Sequence, residues 1–150
     1  MQRIIKFSLL LIVVTLLLPG GGCKKETVCN GVPNTAVNFS VNLNLGYPQL
    51  NPVNGNATYS GGYANHGVLI YHYLTAQFVA YDCTCPYDGE SNGNAVISAK
   101  QGALFATCPV CGSSFLLSSG SPNKGPSTCP LKAYSNTTYD QTNNIVYVSN

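Results

Sequence analysis

The chain has 150 residues, which suits one modest core and leaves too little for two full-sized domains. Hydrophobic residues are 45% and charged residues only 8%, against about 25% in an average domain, which excludes a charge-driven disordered tail and a nucleic-acid binder resting on a basic patch. The formal charge of +2 includes Arg3 and Lys6; without them five basic residues face five acidic ones, so contacts would form with little electrostatic steering.

Residues 1–22 have the layout of an export signal. Arg3 and Lys6 form the positive start, and Phe7 to Leu18 is an apolar run of twelve residues. A spanning helix needs about 20 residues, so the run is too short to cross a bilayer. Pro19-Gly20-Gly21-Gly22 breaks it and Cys23 follows at once. This layout resembles a bacterial lipoprotein signal, with Gly20 departing from the usual apolar residue. The resemblance implies that Cys23 becomes the first mature residue, carries the lipid, and ties residues 23–150 to an envelope membrane, periplasmic or surface-exposed. Lys24-Lys25-Glu26 would be a short polar spacer.

Beyond residue 26, Gly, Asn, Thr, Ser, Tyr and Val dominate, a β composition with many turns. Ala36 to Leu45 alternates apolar and polar residues and predicts a half-buried strand. Residues 51–66 are rich in Asn and Gly and read as loop. Gly67 to Tyr73 and Gln77 to Asp82 predict a hairpin. Ala95 to Ser98 and Ala103 to Ala106 flank Lys100-Gln101-Gly102 and predict a second hairpin. Ser114 to Leu117 reads as a short strand and residues 118–130 as turn. Leu131 to Ser135 and Ile145 to Ser149 would close the sheet. Asn38, Asn56 and Asn136 head Asn-x-Ser/Thr triplets and are taken as turn residues. There is no internal repeat and no amphipathic helix pattern. Short strands at this spacing predict an all-β fold, a small antiparallel sandwich or barrel.

Seven cysteines carry the chemical signal. With Cys23 assigned to lipid, Cys83 and Cys85 form C-T-C, and Cys108 and Cys111 form C-P-V-C. Each pair follows a predicted strand, so two strand-tip loops can converge on one ion or cluster. Four thiolates suit tetrahedral zinc or an iron–sulfur centre. Disulfides are the competing reading, because an exported protein meets oxidising conditions. Cys29 and Cys129 remain as a possible disulfide closing a loop of about 100 residues, worth roughly 4 to 5 kcal/mol in the chain-entropy treatment. His66 and His72 are the only imidazoles and lie away from both cysteine loops in sequence; they read as surface or core residues. The ten tyrosines read as half-buried strand packing more readily than as a sugar-stacking surface. No Ser-His-Asp, paired-carboxylate or phosphate-cradling motif points to an enzyme.

Cys108-Pro109-Val110-Cys111-Gly112-Ser113-Ser114-Phe115 resembles the second cluster-binding loop of Rieske ferredoxins, C-P-x-H-G-S-x-F/Y. Gly125-Pro126, Pro130-Leu131 and Tyr134 resemble the family's later G-P loop and P-L-x-x-Y strand, and Phe78 to Asp82 resembles the strand entering the first loop. The resemblance spans roughly residues 66–149. It implies a Rieske-type β fold, a 2Fe-2S cluster and one-electron transfer to an unknown redox protein, in an electron carrier or binding module rather than an enzyme. The family's loops each give one Cys and one His. Here no histidine stands in either loop, and Cys111 holds the second histidine position. The first loop aligns two ways. One sets Cys83 and Cys85 on the family's Cys and His; the other sets Cys85-Pro86-Tyr87-Asp88-Gly89 on C-P-H-x-G and agrees at more positions. Either way the resemblance implies Cys83, Cys85, Cys108 and Cys111 as ligands. Thiolates in place of imidazoles would lower the potential towards roughly −400 mV. Ser113 matches a serine that hydrogen-bonds a cluster sulfur. Phe115 lacks the hydroxyl of the tyrosine found in many relatives, and Gly125 and Pro126 flank the site. A scaffold that holds zinc, or only disulfides, and serves as a structural or binding lipoprotein is the alternative.

Overall fold

A computed structural model describes residues 31–150. The expected export segment, Cys23 and Cys29 lie outside these residues. The described residues form nine strands and two single-turn 3-10 helices at Pro48–Leu50 and Tyr63–Asn65. The strands are β1 (Asn38–Asn42), β2 (Asn56–Tyr59), β3 (Val68–Leu74), β4 (Gln77–Asp82), β5 (Phe105–Thr107), β6 (Ser114–Leu116), β7 (Pro122–Lys124), β8 (Asn136–Asp140) and β9 (Ile145–Ser149). They make three antiparallel sheets with orders β1-β9-β8, β2-β3-β4 and β5-β6-β7. The described residues form an all-β fold, as the composition predicts. Among the described residues no helix is long and apolar enough to cross a membrane.

The middle sheet organises the core. Its central strand β3 begins with an unbroken buried run, Val68-Leu69-Ile70-Tyr71-His72, because both of its faces are covered. Side chains alternate across a strand. Leu69 and Tyr71 therefore enter one core with Tyr81, Ile97, Ala106, Phe115, Leu117 and Leu131. Val68 and Ile70 enter a second core with Val41, Leu43, Phe78, Val146 and Val148. The β1-β9-β8 sheet thus closes one face of the middle sheet, and the β5-β6-β7 sheet with its flanking loops closes the other.

Several elements differ from the sequence-based expectation. The β3–β4 hairpin and β9 stand where the residue pattern predicts them, and β1 is the inner part of its predicted run. The second predicted hairpin does not form. β5 pairs with β6 across the Cys108–Gly112 turn, and Ala95–Ser98 contributes only single bridges, Thr84 to Val96 and Ser98 to Thr107. Leu131–Ser135 is likewise no strand; Ala133 bridges Tyr81. β2 and β7 occupy stretches read as loop and turn. Polar side chains hid β2: Asn56 is buried and donates its side-chain amide to Lys100 O at 2.8 Å. Asn38, Asn56 and Asn136 are strand-initial residues rather than turn residues.

His72 is a core residue. Its ring stacks on Phe78 with centroids 4.2 Å apart, and Nδ1 lies 2.9 Å from Leu50 O. Buried tyrosines pack the layers, and burial raises the phenols of Tyr71 and Tyr134 and pushes that of Tyr81 up to about 12. Burial also pushes the Cys83 thiol up to about 12. For each of these acids the folded value lies above the unfolded one. Their contribution is therefore complete below the unfolded values and is lost as pH climbs through the folded ones. Melting temperature is expected to hold to about pH 9 and to fall steeply by about pH 11, with Tyr81→Phe softening the fall. Equal thermal melts at the two pH values would contradict this.

Candidate metal centre

Two loops project from the core that contains Phe115. The first follows β4. Asp82 ends the strand, Cys83 N–H donates to Gly67 O at 2.9 Å, and Cys85 N–H donates to Ala95 O at 2.9 Å. The second joins β5 to β6. There Cys108 N–H donates to Ser113 O at 2.9 Å, and Gly112, at φ +72°, turns the chain back with a bond to Cys108 O at 3.0 Å. A left-handed φ is a conformation that side-chain-bearing residues resist, so the glycine serves the turn directly.

These loops bring Cys85, Asp88, Cys108 and Cys111 together, with one donor atom from each lying within 4.8 Å of all the others. Cys85 Sγ and Cys111 Sγ are 3.7 Å apart. Cys85 and Cys108 are buried, and Cys111 and Asp88 are half-buried. Burial pushes the Cys85 thiol up to about 12, while the Tyr87 and Asp88 backbone groups hydrogen-bond to it and oppose the shift. A bound cation reverses that preference, since a coordinating thiol is deprotonated.

The expected ligand Cys83 is not in this group. Its thiol is fully buried in the same core as Cys85 and Cys108, beside the Leu69 backbone and Thr58 of β2 rather than among the grouped donors. Cys83 follows β4 directly and is held against the start of β3, so the loop carries only Cys85 out to the tip. Cys85 is in the group under either alignment of the first loop. Tyr87, which takes the histidine place in only one of them, is 45% exposed and outside the group. His66 is also outside it; its Nδ1 lies 2.9 Å from Thr84 Oγ1. Asp88, the fourth member of the group, was not among the residues singled out by the sequence.

Ser113 lies beside Cys111. Its Oγ accepts the Cys111 S–H at 3.1 Å and the Ser127 N–H at 2.9 Å. Loss of the Cys111 proton would reverse the first bond, with the hydroxyl donating to the thiolate while Oγ keeps the Ser127 N–H. Gly125 and Pro126 form the exposed loop that delivers Ser127. Phe115 is fully buried beneath the loops and packs in the same core as Cys85 and Cys108. Cys129 is disulfide-bonded, while Cys83, Cys85, Cys108 and Cys111 are free. Cys29, the partner expected for Cys129, lies outside the described residues.

The donor chemistry fits a thiolate-bound metal. A metal–sulfur distance near 2.3 Å gives a tetrahedral edge of about 3.8 Å, close to the 3.7 Å between Cys85 and Cys111. A two-iron cluster sets its ligand pairs on different irons, wider apart than one tetrahedron allows. The two-cysteine, two-histidine set of Rieske clusters is not present, because neither imidazole reaches the site.

No family model and no curated protein matches the chain. Solved structures do. A ferredoxin of carbazole 1,9a-dioxygenase from Nocardioides aromaticivorans IC177 is 18% identical, with 77% of this chain and 98% of that one covered at a TM-score of 0.49. The E. coli protein NirD is 17% identical over 77% and 98% of the two chains, with a TM-score of 0.46. A Sphingomonas yanoikuyae B1 ferredoxin is 19% identical over 68% and 93%, with a TM-score of 0.45.

Proposed function

We propose that this protein, tethered by lipid on Cys23 in a bacterial envelope, holds thiolate-bound iron on a Rieske-like scaffold and passes single electrons to a protein partner. The observation that carries the reading is the convergence of three free thiols and one carboxylate from two loops on one point. When bound, iron supplies a one-electron couple between its ferric and ferrous states. The chain does the rest. Cys85, Cys108 and Cys111 hold the metal, the Phe115 core shields it from below, and Ser113 is placed to donate to the Cys111 sulfur and favour the reduced state. The half-buried side of Cys111 is the exit for the electron.

Protein purified without oxygen tests this. Iron, visible absorption and bleaching by dithionite are the expected results. Acid-labile sulfide then separates the 2Fe-2S cluster implied by the resemblance from a single thiolate-bound iron. A colourless protein with neither iron nor zinc would end the metal reading. One zinc ion is the second reading, favoured by the tetrahedral edge between Cys85 and Cys111. It predicts a colourless protein that loses fold in chelator.

A further inference from the structure

We propose that Asp88 is the fourth metal ligand, completing a tetrahedron of three thiolates and one carboxylate around a single ion. This rests on the metal-binding reading above and assigns the donor that reading lacks.

The first observation is a match between the two loops. Cys85-Pro86-Tyr87-Asp88-Gly89 and Cys108-Pro109-Val110-Cys111-Gly112 share cysteine, proline and glycine at the same places. They also share a backbone bond. Gly89 N–H donates to Cys85 O at 2.8 Å, and Gly112 N–H donates to Cys108 O at 3.0 Å. Each turn therefore folds its fourth residue back beside its first. Cys111 is that residue in one turn and Asp88 in the other. The first turn has no room for variation: a Cβ on Gly89 would lie 2.6 Å from Cys85 O and 2.2 Å from the Thr84 side chain.

The second observation is independent of the match. Oδ2 of Asp88 is buried without a hydrogen-bond partner. The turn uses the Asp88 carbonyl instead, which accepts Ser91 N–H at 3.0 Å and Asn92 N–H at 2.9 Å. A buried carboxylate oxygen without a partner is costly, and a cation beside it removes the cost. The same oxygen-bearing side chain is the one within 4.8 Å of three sulfurs.

Cobalt titration of the whole protein, stripped of metal under reducing conditions, tests the assignment. Wild type is expected to take one Co²⁺ per chain, with tetrahedral d–d bands and thiolate-to-cobalt charge transfer. Asp88→Cys is expected to raise the charge-transfer intensity by about one third, since three thiolates become four. Losing a residue that merely supports a ligand costs about 10- to 100-fold in affinity, so Asp88→Ala is expected to weaken Co²⁺ binding at least tenfold. Glu90→Gln, an exposed carboxylate two residues on, is expected to leave both readouts unchanged. Matching circular dichroism shows that the variants fold, and Asp88→Asn stands in should the alanine variant not fold. Co²⁺ bound with the same spectrum and affinity in Asp88→Cys and Asp88→Ala would overturn the assignment while leaving metal binding intact. Two Co²⁺ per chain would overturn the single-ion tetrahedron. A wild-type protein that takes up no Co²⁺ would remove the metal reading itself.

Discussion

Cys108→Ala is expected to strip the protein of metal, and Cys83→Ala is expected to leave the metal load intact. The two residues look equivalent in the sequence, since each belongs to a close cysteine pair after a strand. They differ in their neighbours. Cys108 shares a 4.8 Å group with Cys85, Cys111 and Asp88, whereas Cys83 is buried beside Leu69 and Thr58 outside that group. Removing a direct ligand also leaves the other thiols to share one fewer bond, and ligand sets of this kind bind cooperatively with folding. Retained metal in Cys108→Ala is expected to fall below about a tenth of wild type, taking the effect of losing an outer-shell contact as the lower bound. Cys83→Ala trades a buried thiol for a small cavity, a cost of about 1 kcal/mol or less. Elemental analysis of both variants, purified side by side, decides the matter. Metal lost from Cys83→Ala and kept by Cys108→Ala would invert the assignment of the site.

That contrast shows which parts of the molecule could be seen in the residues alone. β3, β4 and β9 are apolar and β-branched, and their periodicity is enough to locate them. β2 and β7 were missed because Asn-Ala-Thr-Tyr is a four-residue alternation inside an Asn- and Gly-rich stretch and Pro-Asn-Lys has no apolar alternation at all; they exist because β3 and β6 offer them backbone partners. The predicted second hairpin failed for a related reason. Phe105–Thr107 has two available partners, and the Cys108–Gly112 turn brings β6 to it at short range, leaving Ser98 a single bridge. At the site, motif spacing singles out Cys85, Cys108 and Cys111, which the fold gathers at one place. It does not separate Cys83 from them, because spacing along the chain does not report which way a thiol faces. Asp88 could have been found by setting the two loops against each other, since C-P-x-D-G repeats C-P-x-C-G with a carboxylate at the second ligand place.

The first loop keeps its shape through a buried carboxylate, and Asp82→Ala is expected to be the most destabilising polar substitution near the site. Asp82 is 1% exposed. Its Oδ1 accepts the Thr84 N–H at 2.8 Å. Its Oδ2 accepts the Tyr63 N–H at 2.6 Å and the Tyr134 hydroxyl at 2.7 Å. One side chain thus ties β4 to the Tyr63–Asn65 turn and to the segment after Leu131, one residue before the chain enters Cys83. Alanine would strand three donors in the interior, each costing about 1 to 3 kcal/mol when buried without an acceptor. Partial relaxation and water entry reduce the sum, so a loss of about 3 to 5 kcal/mol is expected by urea denaturation. Tyr134→Phe removes only one donor and leaves the carboxylate two partners, so about 1 kcal/mol is expected. In a double-mutant cycle the two substitutions should be strongly non-additive, because they share one hydrogen bond. If Asp82→Ala unfolds within 1 kcal/mol of wild type, this carboxylate does not hold the loop. The metal readout then adds information that stability alone lacks. A loosened first loop displaces Cys85 and Asp88 while leaving Cys108 and Cys111 on their own turn, so metal affinity should fall in Asp82→Ala even under conditions where the protein remains folded.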